Sequence, residues 1–268
     1  MKLSEFYKIA DALAPKALSD EYCKNYSAYD NSGILIDTGA EVNKVLFTLD
    51  LSFSAVEKAI ETGANLIVTH HPVIYGKISE IIAGDFQPLG EKLIKCIQNG
   101  ISVISMHLNL DCVAGGIDES LQEGIVNASG GEKTTASVMH ALSNGGYGRA
   151  YPIKPTTLTA LAEGIRKQFS TDRLLVYGEG DKTIEKVASF CGSGADEWAV
   201  QFALEAGAQV VVSSDFKHHV LMLALEKGLS VIALTHYASE NYGFKKYYEK
   251  ISQKAKISCV YHEDSMLF

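Results

Sequence analysis

The chain has 268 residues, a length that suits one large or two modest domains with a substantial core. Its 47% apolar and 21% charged content is that of an ordinary globular protein and excludes a disordered or fibrous chain. A net charge of −8 argues against a general phosphate-backbone binder, so nucleic acid is not a favoured partner.

Residues 1–14 combine acids with apolar positions at Leu3, Phe6, Ile9 and Leu13, which predicts an amphipathic helix rather than a secretory leader. No apolar run approaches the roughly 18 residues of a membrane span, and the cytoplasm is the expected location. The five cysteines, Cys23, Cys96, Cys112, Cys191 and Cys259, are odd in number and scattered, with no CxxC. That predicts reduced thiols in a reducing compartment.

From Lys44 the chain alternates. Lys44–Leu51 reads as a strand, Ser54–Thr62 as a helix closed by Gly63, and Asn65–Thr69 as a short buried strand. Leu89–Asn99 is again helical and closed by Gly100, and Ile101–Met106 is the next strand. This βαβαβ rhythm predicts a parallel sheet with helices on its faces. Between Gly130 and Lys182 lie a glycine-rich turn (Gly145, Gly146, Gly148), a Thr-capped helix near Thr157–Phe169 and a strand at Leu174–Tyr177.

The phrases then recur. Ala59–His71 (AIETGANLIVTHH) resembles Ala203–His219 (ALEAGAQVVVSSDFKHH), and Gly100–Asp111 resembles Gly228–Glu240. Lys44–Asp50 (KVLFTLD) stands where Lys186–Gly192 (KVASFCG) stands in the second half. Three matches in one order predict two related three-layer α/β units with mostly parallel sheets. The expected boundaries are 1–128 plus 228–268 for the first unit and 129–227 for the second.

Chemistry collects at the strand ends. His70 and His71 follow the strand NLIVT, and the carboxyl ends of parallel strands are where ligands gather. Pro72 fixes the turn beyond them. His107 and Asp111 follow ISVIS, and His236 and Glu240 follow SVIAL; in both a histidine precedes a carboxylate by four positions. Taken singly, Asp111 reads equally as a turn cap and Glu240 as a solvated charge. Together, imidazoles and carboxylates suit zinc, iron, manganese and similar divalent cations. His107 is read either as orienting Asp111 or a bound water, or as a packed ring. Asp215, Lys217, His218 and His219 read as substrate contacts or a helix start, with Asp215 as a cap. Gly192-Ser193-Gly194-Ala195-Asp196 reads as a tight turn or as an anion cradle.

At this point a resemblance is specific. The phrases YDNSGILID, GANLIVTHHPVIYG, HLNLDCVAGGID, GYGR, FCGSGAD, SSDFKHH and THYASE resemble, in order from Tyr29 to Glu240, the Nif-three-like dinuclear-metal family, whose members are often labelled GTP cyclohydrolase type 2 homologs. Tyr29 stands where the family usually has Trp. The spacing leaves no room for the middle domain of the longer members. The resemblance implies His71 and Asp111 on one ion, His70 and His236 on the other, Glu240 bridging, and a homohexameric ring. Two such ions acidify a shared water and polarise a carbonyl or phosphoryl oxygen. The expected function is thus that of a metal-dependent hydrolase, with opening of the guanine ring of GTP as the labelled reaction and a nucleotide as substrate. The alternative is a metal-dependent scaffold, metal carrier or regulator.

Overall fold

The computed structural model describes residues 1–84, 88–264 and 267. Its elements are α1 (Leu3–Leu13), α2 (Lys16–Tyr26), β1 (Gly33–Ile36), β2 (Lys44–Thr48), α3 (Phe53–Thr62), β3 (Leu66–Thr69), α4 (Pro88–Gln98), β4 (Ser102–Ser105), α5 (Leu108–Cys112) and α6 (Ile117–Ala128). They continue as β5 (Ser137–Leu142), β6 (Gly145–Thr157), α7 (Leu158–Gln168), β7 (Leu174–Tyr177), β8 (Thr183–Ser189), α8 (Glu197–Glu205), β9 (Val210–Ser213), α9 (His218–Glu226), β10 (Ser230–Leu234), α10 (His236–Lys254) and β11 (Ser258–Tyr261). Two compact units result, Met1–Val113 with Phe244–Met266, and Ala114–Gly243 with Leu267–Phe268.

The first unit is built on a sheet of order β1-β4-β3-β2-β11, parallel except for β1, which runs antiparallel to β4. Side chains alternate across β2. Leu46 enters a cluster with Val56 and Ala59 of α3 and Leu93 and Cys96 of α4, whereas Phe47 meets the rings of Phe244, Tyr247 and Tyr248 on α10. Both faces are therefore covered, as a parallel sheet requires. The buried stripe of α1 is Leu3, Phe6 and Ala10, while Ile9 and Leu13 are half-buried.

The second unit has the order β5-β6-β8-β9-β10-β7. Its central strands β8, β9 and β10 are parallel, and β5, β6 and β7 add antiparallel pairings at the margins. Ala188, Val211 and Val231 pack on α8 and α9. Val187, Val210 and Val212 alternate onto the opposite face and are fully buried, where α6 and α7 cover β6 and β8. The expected division put 228–268 in the first unit and 114–128 with it. Instead β10 bonds to β9 and β7, and α6 packs on β6, so both belong to the second unit.

The repeat read in the sequence is the repeat of the fold. β2-α3-β3-α4-β4 and β8-α8-β9-α9-β10 follow one another in the same order, and the sheet orders β4-β3-β2 and β10-β9-β8 match. Gly63, Gly100, Gly207 and Gly228 each end a helix at positive φ, between +64° and +81°. In all four the next residue's N–H reaches back to the helix: Ala64 to Ala59, Ile101 to Cys96, Ala208 to Ala203 and Leu229 to Ala224, at 2.8–3.0 Å. This left-handed stop delivers the chain straight into the following strand.

One charged pair is buried in the second unit. Asp118 of α6 faces Arg149 of β6 at 2.9 Å and also accepts the N–H groups of Gly148 at 3.1 Å and Cys191 at 3.4 Å. Removing one partner leaves an uncompensated charge. Asp118→Ala should lower the unfolding free energy by about 3–5 kcal/mol in urea denaturation, and a loss below about 1 kcal/mol would show the pair to be dispensable.

Candidate metal centre

In the first unit, β3 ends at Thr69 and the chain bends. The N–H groups of His70 and His71 both donate to Leu49 C=O, at 3.1 and 3.0 Å, and Ser105 Oγ holds His70 C=O at 2.8 Å. Two adjacent residues thus keep their rings on one side, centroids 4.8 Å apart. His107, just after β4, brings a third ring to 5.2 Å from His70 and 5.8 Å from His71. One nitrogen from each of the three lies within 4.8 Å of the others. Asp111 sits on α5, whose Asn109 amide donates to Ala14 C=O at 2.7 Å, and its Oδ1 stands 3.4 Å from His70 Nε2.

In the second unit, β10 ends at Leu234 and α10 begins at His236. One helical turn separates His236 from Glu240, so their side chains share a face. His236 Nε2 lies 3.1 Å from Glu240 Oε1, and the Glu240 carboxylate is buried.

Each of the four imidazoles is held through its other nitrogen. His70 Nδ1 donates to Met106 C=O at 2.7 Å, His71 Nδ1 to Asp50 at 2.8 Å, His107 Nδ1 to Asp30 at 2.7 Å and His236 Nδ1 to Asp215 at 2.5 Å. A carbonyl or carboxylate cannot donate, so Nδ1 carries the proton and the neutral ring offers Nε2 as an acceptor. Burial works against the charge of Asp30, yet hydrogen bonds from His107, Ser19 and Ser32 hold its carboxyl well below the usual carboxylate range. Asp30 is therefore an acceptor at neutral pH.

The donor set fits a divalent cation. His70 Nε2 against Asp111 and His236 Nε2 against Glu240 both set an acceptor facing an acceptor in a buried or half-buried place. Such a pair repels unless a cation or an additional proton lies with it. Imidazole nitrogen with carboxylate oxygen is the set that zinc, iron and manganese take.

Sequence reasoning named the five candidate ligands and His107, gave Asp215 another role, and did not name Asp50 or Asp30 among the residues that fix the rings. Asp50 and Asp215 each stand just beyond a strand, after β2 and β9, a position that could have flagged them. Asp30 carried no such signal. His107 bonds to Asp30; the expectation that it orients Asp111 has no counterpart in its hydrogen bonds. Asp215 is not a helix cap, for Lys217 occupies that position in α9 and Asp215 accepts from His236. His219 pairs with Glu197 at 2.9 Å. In the Gly192–Asp196 stretch, Gly192 N–H donates to Ser239 Oγ and Asp196 caps α8 through Ala199 N–H. All five cysteines are free, and among the described residues no helix is long and apolar enough to cross a membrane.

Comparison with known proteins places this geometry in context. A family model described as Duf34/NIF3 (NGG1p interacting factor 3) matches residues 1–264. A GTP cyclohydrolase 1 type 2 homolog of Clostridium acetobutylicum is 30% identical over 244 residues, covering 90% of this chain and 85% of that one. The NGG1-interacting factor 3 of Saccharomyces cerevisiae is 28% identical over 84% of each chain. Among solved structures, reduced HcgD from Methanocaldococcus jannaschii matches with a TM-score of 0.80 at 28% identity, covering 98% of both chains. A hypothetical protein of Staphylococcus aureus shares the fold, with a TM-score of 0.82, over 98% of this chain and 97% of that one at 24% identity.

The tautomers are directly testable. Long-range nitrogen–proton NMR on metal-free protein should show His70, His71, His107 and His236 protonated at Nδ1 when neutral, and Asp50→Ala should return His71 to the mixture seen in free histidine. Nε2-protonated signals in the unaltered protein would contradict the anchoring.

Proposed function

Because the chain belongs to the Duf34/NIF3 (NGG1p interacting factor 3) family, we propose that it binds two divalent metal ions through His70, His71, Asp111, His236 and Glu240 and acts as a metal-dependent hydrolase. The observation that carries this reading is the twofold approach of an imidazole Nε2 to a buried carboxylate, His70 to Asp111 at 3.4 Å in one unit and His236 to Glu240 at 3.1 Å in the other. Asp50, Asp215 and the Met106 carbonyl orient the ligand rings.

When bound, two such ions acidify a shared water and polarise a carbonyl or phosphoryl oxygen. The chain's own part is positional and protic. Asp111 and Glu240 bring carboxyl oxygens into a buried setting, where a charge that is paired with a cation is bound strongly. His107, fixed by Asp30 and partly open to solvent, presents Nε2 as the atom at which a proton is taken up or given back. The names of the relatives support a nucleotide, with hydrolytic opening of the guanine ring as the reaction. A homohexameric ring, a cytoplasmic location and the short family architecture belong to the same proposal.

A second reading has its own support. The yeast relative is named as an interacting factor, which favours a metal-dependent scaffold, metal carrier or regulator. Turnover separates the two. Metal-loaded protein and His71→Ala are incubated with GTP, phosphoesters and cyclic amides; metal-dependent product lost in the variant supports the hydrolase, and retention of a partner without turnover supports the scaffold.

Metal content decides the common premise. Protein purified without chelator should carry about two divalent ions per chain by elemental analysis, and dialysis against a chelator should remove them. Asp50→Ala should weaken binding about 10–100-fold in calorimetry. A metal-free protein that takes up no zinc, iron or manganese would sink both readings.

A further inference from the structure

The second unit holds a second layer of control over Glu240. Gly192, immediately beyond Phe190 and Cys191 at the end of β8, has φ +56° and lies directly against the carboxylate. A Cβ at this position would fall well inside van der Waals contact with Glu240 Oε1, and would stand 3.2 Å from His236 Nε2 and 3.4 Å from Glu240 Cδ. The two functional side chains of α10 thus rest on bare backbone.

That backbone is fixed at every polar atom. Cys191 N–H donates to Asp118 at 3.4 Å, and Cys191 C=O accepts the Tyr147 hydroxyl at 2.5 Å. Gly192 N–H donates to Ser239 Oγ at 3.0 Å. Gly192 C=O accepts from Ser214 Oγ at 2.5 Å, Ser213 Oγ at 3.3 Å and Ser214 N–H at 3.3 Å. Ser239 Oγ in turn donates to His236 C=O at 2.8 Å, which ties the same peptide to the first turn of α10. Asp118 is itself locked by Arg149. Gly194 completes the fit, since a Cβ there would collide with the Tyr147 hydroxyl. A turn needed only for chain reversal does not require four elements to grip two peptides.

We propose that Cys191–Gly192 is a clamped wall that sets the position of the Glu240 carboxylate, with Tyr147 and Asp118 as positioning residues that act through it. The inference rests on the proposed metal-binding role of Glu240 for its functional meaning, but not for its geometry. It gives GYGR and FCGSGAD, neither of which supplies a candidate ligand, a shared task.

The test compares Gly192→Ala with Gly207→Ala. Both replace a glycine at positive φ, but Gly207 has open space where a Cβ would go, so the control carries the backbone strain without the contact. Zinc is titrated calorimetrically into metal-free protein, and metal-free crystal structures are determined. Gly192→Ala should bind zinc at least about tenfold more weakly and show the Glu240 carboxylate displaced from His236, while Gly207→Ala matches the unaltered protein in both. Unchanged zinc affinity, or an unmoved carboxylate in Gly192→Ala, overturns the proposal. If Gly192→Ala does not fold, Tyr147→Phe decides: weaker zinc binding at unchanged melting temperature supports the wall, and unchanged binding overturns it. Should the unaltered protein bind no zinc, the metal-binding reading fails, and the carboxylate position in Gly192→Ala or Tyr147→Phe still rules on the wall.

Discussion

A neutral imidazole has one N–H, and which nitrogen carries it decides what the other can hold. Four histidines here direct that proton through Nδ1 onto acceptors with nothing to donate: one main-chain carbonyl and three aspartates. The consequence is four Nε2 lone pairs of fixed direction. Every feature of the candidate centre depends on it, because an unanchored ring would rotate and could present either nitrogen. The sheets supply the distances. Strand ends bring Asp50 beside His71 although 21 positions separate them, and Asp30 beside His107 across 77.

The two units solve the problem with one framework and different residues. By the repeat, Asp50 after β2 corresponds to Gly192 after β8, and His71 after β3 corresponds to Asp215 after β9. The first unit has an acid holding an imidazole that sits on the next strand. In the second, the acid stands at the β9 end and holds an imidazole on α10, while the β8 end carries a glycine. Space at Gly192 then admits Glu240, a longer carboxylate arriving from a helix. Conserved backbone geometry with exchanged side chains is what lets strand ends change chemistry without changing fold.

Much of the fold was legible because helix stops and buried strands are local signals. Gly63 and Gly100 marked helix ends, and Thr157 caps α7 through Ala160 N–H as its sequence foretold. The strand at Leu174–Tyr177 was placed to the residue. What escaped was non-local. The long strand β6 contains Pro152 and Pro155, which speak against a strand, yet hydrogen bonds to β5 and β8 carry it with an irregularity between Pro152 and Thr156. The edge placement of β1, β7 and β11 depends on partners far along the chain. Candidate ligands could be read because His and carboxylate types at strand ends are chemically marked. Of their anchors, Asp50 and Asp215 share that mark, but Asp30 does not, since an aspartate in a loop looks alike whether it meets water or an imidazole.

Solvent does not reach the rings of the first unit equally. His70 is wholly enclosed, whereas the side chains of His71 and His107 retain 24% and 20% of their exposure. Any solute that approaches these rings from outside meets His71 or His107 before His70. Under the proposed reading, His71 is therefore the outer ligand and His70 the inner one, so that occupancy at His70 is the slow step. A chelator would strip the accessible positions quickly and wait on local opening of the strand end for the last.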